Sequence, residues 1–104
     1  MAKPKASEPS PPPPPLKALL NTKFKQDLER QEKRGKDMGK LRAVIELLRH
    51  RQPLETRHRD HPLAGEWKGY RDCHVESDWL LIYARDGGNL ILARTGTHAD
   101  LFRE

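Results

Sequence analysis

The sequence predicts an α+β domain in which a small antiparallel sheet packs against an N-terminal two-helix hairpin. Three observations point there. Apolar residues recur at intervals of three and four between Leu20 and Leu48, the period of helices with one buried face. From Trp67 to Thr95 they alternate with polar residues or form short runs that include Val, Ile, Tyr and Trp, as strands do. Gly35 separates the two helical segments and Gly87-Gly88 separates two strand segments, so each pair is expected to fold back on itself.

Taken in order, the chain starts with a proline-rich tail. Pro4, Pro9 and Pro11 to Pro15 lack the N–H that helices and sheets need and favour an extended polyproline path. Residues 1–15 are therefore expected to be a disordered tail, and the folded domain is assigned to 16–104. Leu16, Ala18 and Leu20 alternate with neighbours as in a short edge strand, after which Asn21 or Thr22 can cap a helix. In that helix Leu20, Phe24 and Leu28 form the buried stripe, while Lys23, Lys25, Asp27, Glu29 and Arg30 are expected to face solvent. Gly35 ends it, with Lys33 and Arg34 placed to complement the negative end of the helix dipole.

Asp37 then caps a second helix whose stripe is Met38, Leu41, Val44, Ile45 and Leu48. It should stop near Arg51, because Pro53 disfavours helical backbone in the residue before it. Pro53 to Gly65 reads as an exposed loop. Trp67 to Val75 reads as a strand, with Trp67, Gly69, Arg71, Cys73 and Val75 on one face and Lys68, Tyr70, Asp72 and His74 on the other. Trp79 to Arg85 is a second, more apolar and central strand, and Leu90 to Thr95 a third that delivers the chain at Gly96-Thr97-His98.

The formal charge of +5 is unevenly spread. Leu16 to Arg59 holds 13 Lys or Arg against 6 Asp or Glu, whereas Asp60 to Glu104 holds 5 against 8. A polyanion would meet the basic half, where Lys33, Lys36, Lys40, Arg42 and Arg49 are expected on the outer face of the helical hairpin. Cys73 is the only cysteine, which excludes an intrachain disulfide and a multi-cysteine zinc site. Prolines occupy the place where a signal peptide needs an apolar stretch, and no run reaches the length of a membrane span. A cytoplasmic protein without membrane contact is expected.

The acidic half carries the chemistry. His98 stands at the end of an apolar strand with Arg94 before it and Phe102 after it; an imidazole can move a proton near neutral pH, Arg94 can grip a phosphate, and Phe102 can stack on a base. His61, His74, Asp72, Asp78 and Trp67 lie upstream, and a fold that joins the two segments would surround one substrate with several imidazoles and carboxylates. Cutting RNA without a metal or cofactor takes a base for the 2′-OH, cations for the phosphorane-like transition state and an acid for the leaving 5′-oxygen. His98 is assigned as the acid, His61 or His74 as the base or as the phosphate-binding cation, and Asp78 as the carboxylate that orients an imidazole.

Other uses of these residues compete. His58-x-x-His61 with Asp60 and His74 could hold zinc, though no cysteine pair or His-Glu-x-x-His helix accompanies them. Cys73 is a poor nucleophile, since a strand position beside Asp72 raises its pKa. Trp79 suits the core, whereas Trp67 and Tyr70 suit either packing or base stacking. A surface histidine, taken singly, usually has no chemical role.

Two stretches also carry a family pattern. Asp60-His61-Pro62-Leu63-x-Gly65-x-Trp67-Lys68-Gly69-Tyr70-Arg71-Asp72-x-His74-Val75-Glu76-x-Asp78-Trp79-x-Leu81-Ile82-Tyr83 and Arg94-Thr95-Gly96-Thr97-His98-x-x-Leu101-Phe102 closely resemble the YafQ-like toxins of the RelE/ParE superfamily of bacterial type II toxin-antitoxin systems. Lys36-Asp37-Met38-x-Lys40-Leu41 is similar too, and the proline tail is not. The resemblance implies a RelE-like fold and a ribosome-dependent mRNA endoribonuclease, an enzyme that enters the vacant ribosomal A site, cuts message and halts translation. It implies as partners a cognate antitoxin, the 70S ribosome, mRNA and ribosomal RNA. His61, His74, Asp78, His98 and Phe102 match the family's active-site positions; Trp67, Asp72 and Arg94 match positions around them. Lys33, Lys36 and Lys40 are then the expected grip on ribosomal RNA. A gyrase-inhibiting toxin of the ParE type, or a non-catalytic module for nucleic acid or antitoxin, would not need three histidines together.

Overall fold

The computed structural model of the protein describes residues 11–102. Residues 1–10 of the expected tail lie outside them; Pro11 to Pro15 are exposed and form neither helix nor strand. The elements run β1 (Lys17–Leu20), α1 (Thr22–Lys33), α2 (Met38–Arg49), β2 (His61–Pro62), β3 (Arg71–Glu76), β4 (Trp79–Asp86), β5 (Asn89–Gly96) and α3 (His98–Phe102). Short 3-10 turns at Thr56–His58 and Gly65–Trp67 flank β2.

The helix ends are set by local chemistry. The Asn21 side chain accepts from the Phe24 N–H at 2.8 Å and that of Asp37 from the Gly39 N–H at 3.0 Å, each supplying a first-turn donor with the acceptor it lacks inside the helix. Gly35, at φ +81, makes the left-handed turn between the two helices. α2 stops at Arg49, two residues short of the expected end. The β4-β5 hairpin places Gly87 at φ +59 in its tight turn, with Asp86 facing Asn89.

One sheet in the order β1-β5-β4-β3-β2 organises the rest. All neighbours are antiparallel except β1 and β5, which pair in parallel, Lys17 beside Asn89 through Leu20 beside Leu92. The expected α+β fold, with a largely antiparallel sheet against a two-helix hairpin, is present, and one parallel pairing at the β1 edge makes the sheet mixed. The cause is the helical hairpin, which gives the chain the long connection that a parallel neighbour requires. As expected, β1 is an edge strand. It is tied by the Leu16 N–H to the Arg49 carbonyl at 2.8 Å and by Arg49 Nε to the Leu16 carbonyl at 3.0 Å.

Two apolar clusters sit on opposite faces of the sheet. Phe24, Leu41, Val44 and Leu48 of the helices pack on Cys73, Leu81, Tyr83, Leu90 and Leu92. On the other face Leu80, Ile82, Ala93 and Leu101 are joined by partly buried Leu63, Trp67, Tyr70 and Phe102. Trp79 is fully buried, and its indole N–H donates to Thr95 Oγ1 at 2.9 Å.

Four local expectations are revised. The strand expected from Trp67 begins at Arg71, because Gly65 and Gly69 take positive φ and turn the chain; Trp67 therefore packs on the face opposite Cys73 and Val75. The expected loop from Pro53 to Gly65 includes β2, where Pro62 is tolerated at the edge of the sheet. Asp27, expected in solvent, is only 2% exposed. Leu20, expected in the helical stripe, ends β1 instead and is 39% exposed.

Candidate active site

Register decides which side chains share a face, because directly opposed residues in an antiparallel pair project the same way. His61 opposes Asp72, Asp72 opposes Ile82, and His74 opposes Leu80. His61, Asp72 and His74 therefore stand on the side of the sheet away from α1 and α2. His98 arrives from the end of β5 and closes over this face: the rings of His74 and His98 have centroids 5.6 Å apart and meet edge to face. The upstream and terminal segments thus converge on one surface.

His98 is held by two bonds to the same oxygen. Asp78, in the two-residue turn between β3 and β4, accepts from the His98 main-chain N–H at 2.9 Å and from ring Nδ1 at 2.6 Å. The main-chain N–H first, and then the ring, hold the Asp78 carboxyl below its ordinary value, so it is ionised at neutral pH. With Nδ1–H given to Asp78, His98 turns Nε2 outward.

His98 is also the first residue of a helix where an extended end was expected. Thr97 Oγ1 accepts from the Asp100 N–H at 3.0 Å while Asp100 Oδ2 accepts from the Thr97 N–H at 2.9 Å, a reciprocal cap that starts the turn. Arg34 grips Asp100 with two bonds, at 2.6 and 3.0 Å. Arg34, and behind it Thr97, hold the Asp100 carboxyl well below the usual carboxylate range. Gly96 is required here, since a Cβ on it would lie 2.8 Å from Asp100 Oδ2.

His61 presents the same atom by different means. Its Nδ1–H donates to the Arg59 carbonyl at 2.7 Å, which leaves Nε2 facing the site, 3.9 Å from Asp72 Oδ2. Asp72 was expected among the RNA-contacting residues, but it is only 5% exposed, and its Oδ1 has no hydrogen-bond partner. Burial raises its pKa; His61, His74 and His98 oppose that rise, which places its charge beneath the three imidazoles.

The remaining candidates are distributed as follows. Arg94 is committed to Asp27 through Nε at 2.7 Å and Nη2 at 3.2 Å, so it latches α1 to β5; Asp27 also accepts from the buried Thr95 N–H at 3.1 Å. Lys33 is exposed at the end of α1. Lys36 lies over the Trp79 ring, its Nζ 5.9 Å from the centroid, and helps hold Asp78 ionised. Lys40 pairs with Glu76 at 3.3 Å, so Lys36 and Lys40 border the β3-β4 turn that carries Asp78. Trp67 meets Tyr70 edge to face at 5.3 Å, and Phe102, expected to stack on a base, is partly buried in the same apolar cluster. Burial, ahead of the nearby carboxylates, pushes the Cys73 thiol far up and leaves it inert. Among the described residues no three His, Cys, Asp or Glu side chains are grouped to hold a metal ion, and no helix is long and apolar enough to cross a membrane.

Sequence reasoning missed three contributors. The Thr97-x-x-Asp100 cap was legible as a helix-start signature. The Asp27 latch carried no signal, because an aspartate among lysines on a helix reads as a solvated face. Asp60, which accepts from Tyr83 Oη at 2.6 Å and from Arg71 Nε at 3.2 Å, anchors the segment beside His61, a role the sequence reading did not give it beside that of a zinc ligand.

Comparison with known proteins identifies the family and the fold. Residues 16–103 match the family model of the bacterial toxin of the type II toxin-antitoxin system, YafQ. The chain is 50% identical over 80 residues to the mRNA interferase toxin YafQ of Escherichia coli strain K12, covering 76% of this chain and 87% of that one. The crystal structure of YafQ from E. coli BL21(DE3) superposes with a TM-score of 0.80 at 44% identity, covering 84% of this chain and 98% of that one. The toxin in the E. coli DinJ-YafQ toxin-antitoxin complex superposes at 0.78 with 45% identity, covering 84% of this chain and 97% of that chain.

Proposed function

This chain belongs to the YafQ family of bacterial type II toxins, and from that premise we propose that it is an mRNA interferase that cuts message in the ribosomal A site by metal-independent acid-base chemistry. The observation that carries the reading is the 5.6 Å approach of the His74 and His98 rings, with Asp78 fixing the tautomer of the second. Strand order refines it. β2 and its His61 lie at one side of β3, and His98 closes in from the other, so His74 stands between them.

Neutral His61 carries a lone pair on Nε2 and takes the 2′-OH proton. The 2′-oxygen then attacks phosphorus, closing a 2′,3′-cyclic phosphate as the bond to the 5′-oxygen breaks. His98 gives its Nε2 proton to that leaving oxygen. His74, protonated, faces the non-bridging oxygens where charge accumulates, with the Asp72 carboxyl beneath all three rings. Trp67, Tyr70 and Phe102 supply the apolar floor on which a base can rest. Lys36 and Lys40 beside the β3-β4 turn, with exposed Lys33 at the end of α1, meet ribosomal phosphates.

The partners follow from the same premise: mRNA on the 70S ribosome as substrate, ribosomal RNA as the surface gripped, and a cognate antitoxin as inhibitor, as the relative is seen bound to DinJ. The chain works in the cytoplasm, where translation occurs. The direct experiment incubates it, either untreated or stripped of metal beforehand by chelation and dialysis, with programmed ribosomes and with free message, then maps 5′ ends. Cuts confined to the A-site codon and unchanged by chelation are expected. Cutting of free RNA at equal rate, or its loss on chelation, would overturn the corresponding part of the proposal.

A further inference from the structure

His58 is a fourth histidine beside this site, and the mechanism above leaves it unused. It is 6% exposed, at the end of the Thr56–His58 turn, and its Nδ1 lies 2.6 Å from the His74 main-chain oxygen. A carbonyl can only accept, so His58 is the Nδ1–H tautomer and donates.

The geometry of β3 explains why a side chain stands there. β2 pairs with β3 only at Asp72 and Arg71, so β3 continues past the end of its outer neighbour. Between His74 and Glu76 the register with β4 also shifts, an irregularity that loosens the ladder beside His74. A buried carbonyl left without a partner in such a place costs about 1–3 kcal/mol. The His58 ring takes the place of the absent strand, supplying the donor that a longer β2 would have provided.

The same turn sets the neighbouring histidine. Arg59 follows His58 in the left-handed region at φ +46, rare for a residue with a side chain, and its carbonyl is the acceptor for His61 Nδ1–H. Four residues thus lead from the main chain under His74 to the ring of His61. The other border of His58 faces a cavity of about 520 Å³ lined by Lys40, Arg57 and Arg59 with Glu55 and Glu76.

We propose that His58 is a positioning residue of the nuclease: its Nδ1–H bond to the His74 carbonyl fixes the spacing between His61 and His74. This rests on the cleavage reading above. Displacement of a catalytic group by about 1 Å can cost roughly 100-fold in rate. His58→Ala should therefore lower the single-turnover rate on saturated ribosomes by about 10- to 100-fold while leaving half-saturation within threefold.

Three further measurements separate positioning from bulk. His58→Asn carries an amide N–H near the place of Nδ1 and should recover most of the rate. His58→Phe restores volume without a donor and should remain slow. Ring 15N spectra of the intact chain should show His58 protonated on Nδ1, and His58→Phe should move the His74 and His61 ring signals more than His58→Asn does. An unaltered rate in His58→Ala, equal recovery by Phe and Asn, a loss confined to half-saturation, or an Nε2–H tautomer would each overturn the proposal. If the parent chain left message intact, the cleavage reading would fail, and the spectra would still decide whether His58 places the other two rings.

Discussion

Replacing Asp27 by Ala removes a carboxylate that receives three hydrogen bonds from β5, two from Arg94 and one from the Thr95 N–H. Thr95 is fully buried, so its N–H would be left without an acceptor, at about 1–3 kcal/mol. Arg94 would keep its charge with its counter-ion gone; breaking a buried pair in this way costs about 3–5 kcal/mol. Because the Arg94 side chain retains 18% exposure and the freed groups can turn to water, about half of the combined penalty is recovered, and the expected total loss is about 2–4 kcal/mol. At roughly 4–8 °C per kcal/mol for a domain of this size, Tm should fall by about 10–30 °C. Urea and thermal unfolding followed by circular dichroism would measure it, with the Asp27→Ala, Arg94→Ala cycle isolating the coupling. A loss below about 1 kcal/mol, or a coupling below about 0.5 kcal/mol, would refute the view that Arg94 latches α1 to the strand leading to His98.

Asp100→Asn should cost about 1–2 kcal/mol at neutral pH, the sum of a weakened cap and an ion pair partly screened at Arg34. Because the folded state holds the Asp100 carboxyl below its ordinary value, that contribution is complete above roughly pH 4 and is lost as pH falls through the depressed folded value. The gap between parent and variant, measured by unfolding across pH, should thus be flat from pH 5 to 8 and close in stronger acid. Asp78→Asn should lower single-turnover cleavage by about 10- to 100-fold with ribosome binding retained, since the amide cannot supply the ionised acceptor that orients His98. In the parent, Asp78 stays ionised from neutral pH down past the ordinary aspartate range, so no inflection in the pH-rate profile between pH 5 and 8 should vanish in this variant.

The legible parts of this molecule were those whose cause is local. The stripe Met38, Leu41, Val44, Ile45 and Leu48, the caps Asn21 and Asp37, and the Gly87-Gly88 hairpin all state their structure within a few residues, and each appears as expected. What escaped depends on distant partners. The parallel pairing of β1 with β5 follows from the route of the helical hairpin, and Asp27 looks like any solvated helix residue until Arg94 arrives from 67 positions away. β2 is two residues long and contains a proline, so its membership in the sheet is decided by β3 alone. In the site, residue types were readable, while the face of His74 required the register of β3 against β4. The burial of Asp72 beneath the histidines had the same origin.

In the proposed mechanism His98 protonates the leaving oxygen of a linkage whose other side is worked by His61 and His74. An RNA with sulfur in place of the 5′-bridging oxygen tests it, because a thiolate departs without help from an acid. On programmed ribosomes His98→Ala should be slow on ordinary message and recover to near the parental rate on the sulfur-bridged one, while His61→Ala stays slow on both. Recovery by His61→Ala, or an His98→Ala variant that remains equally impaired on the two substrates, would contradict the assignment.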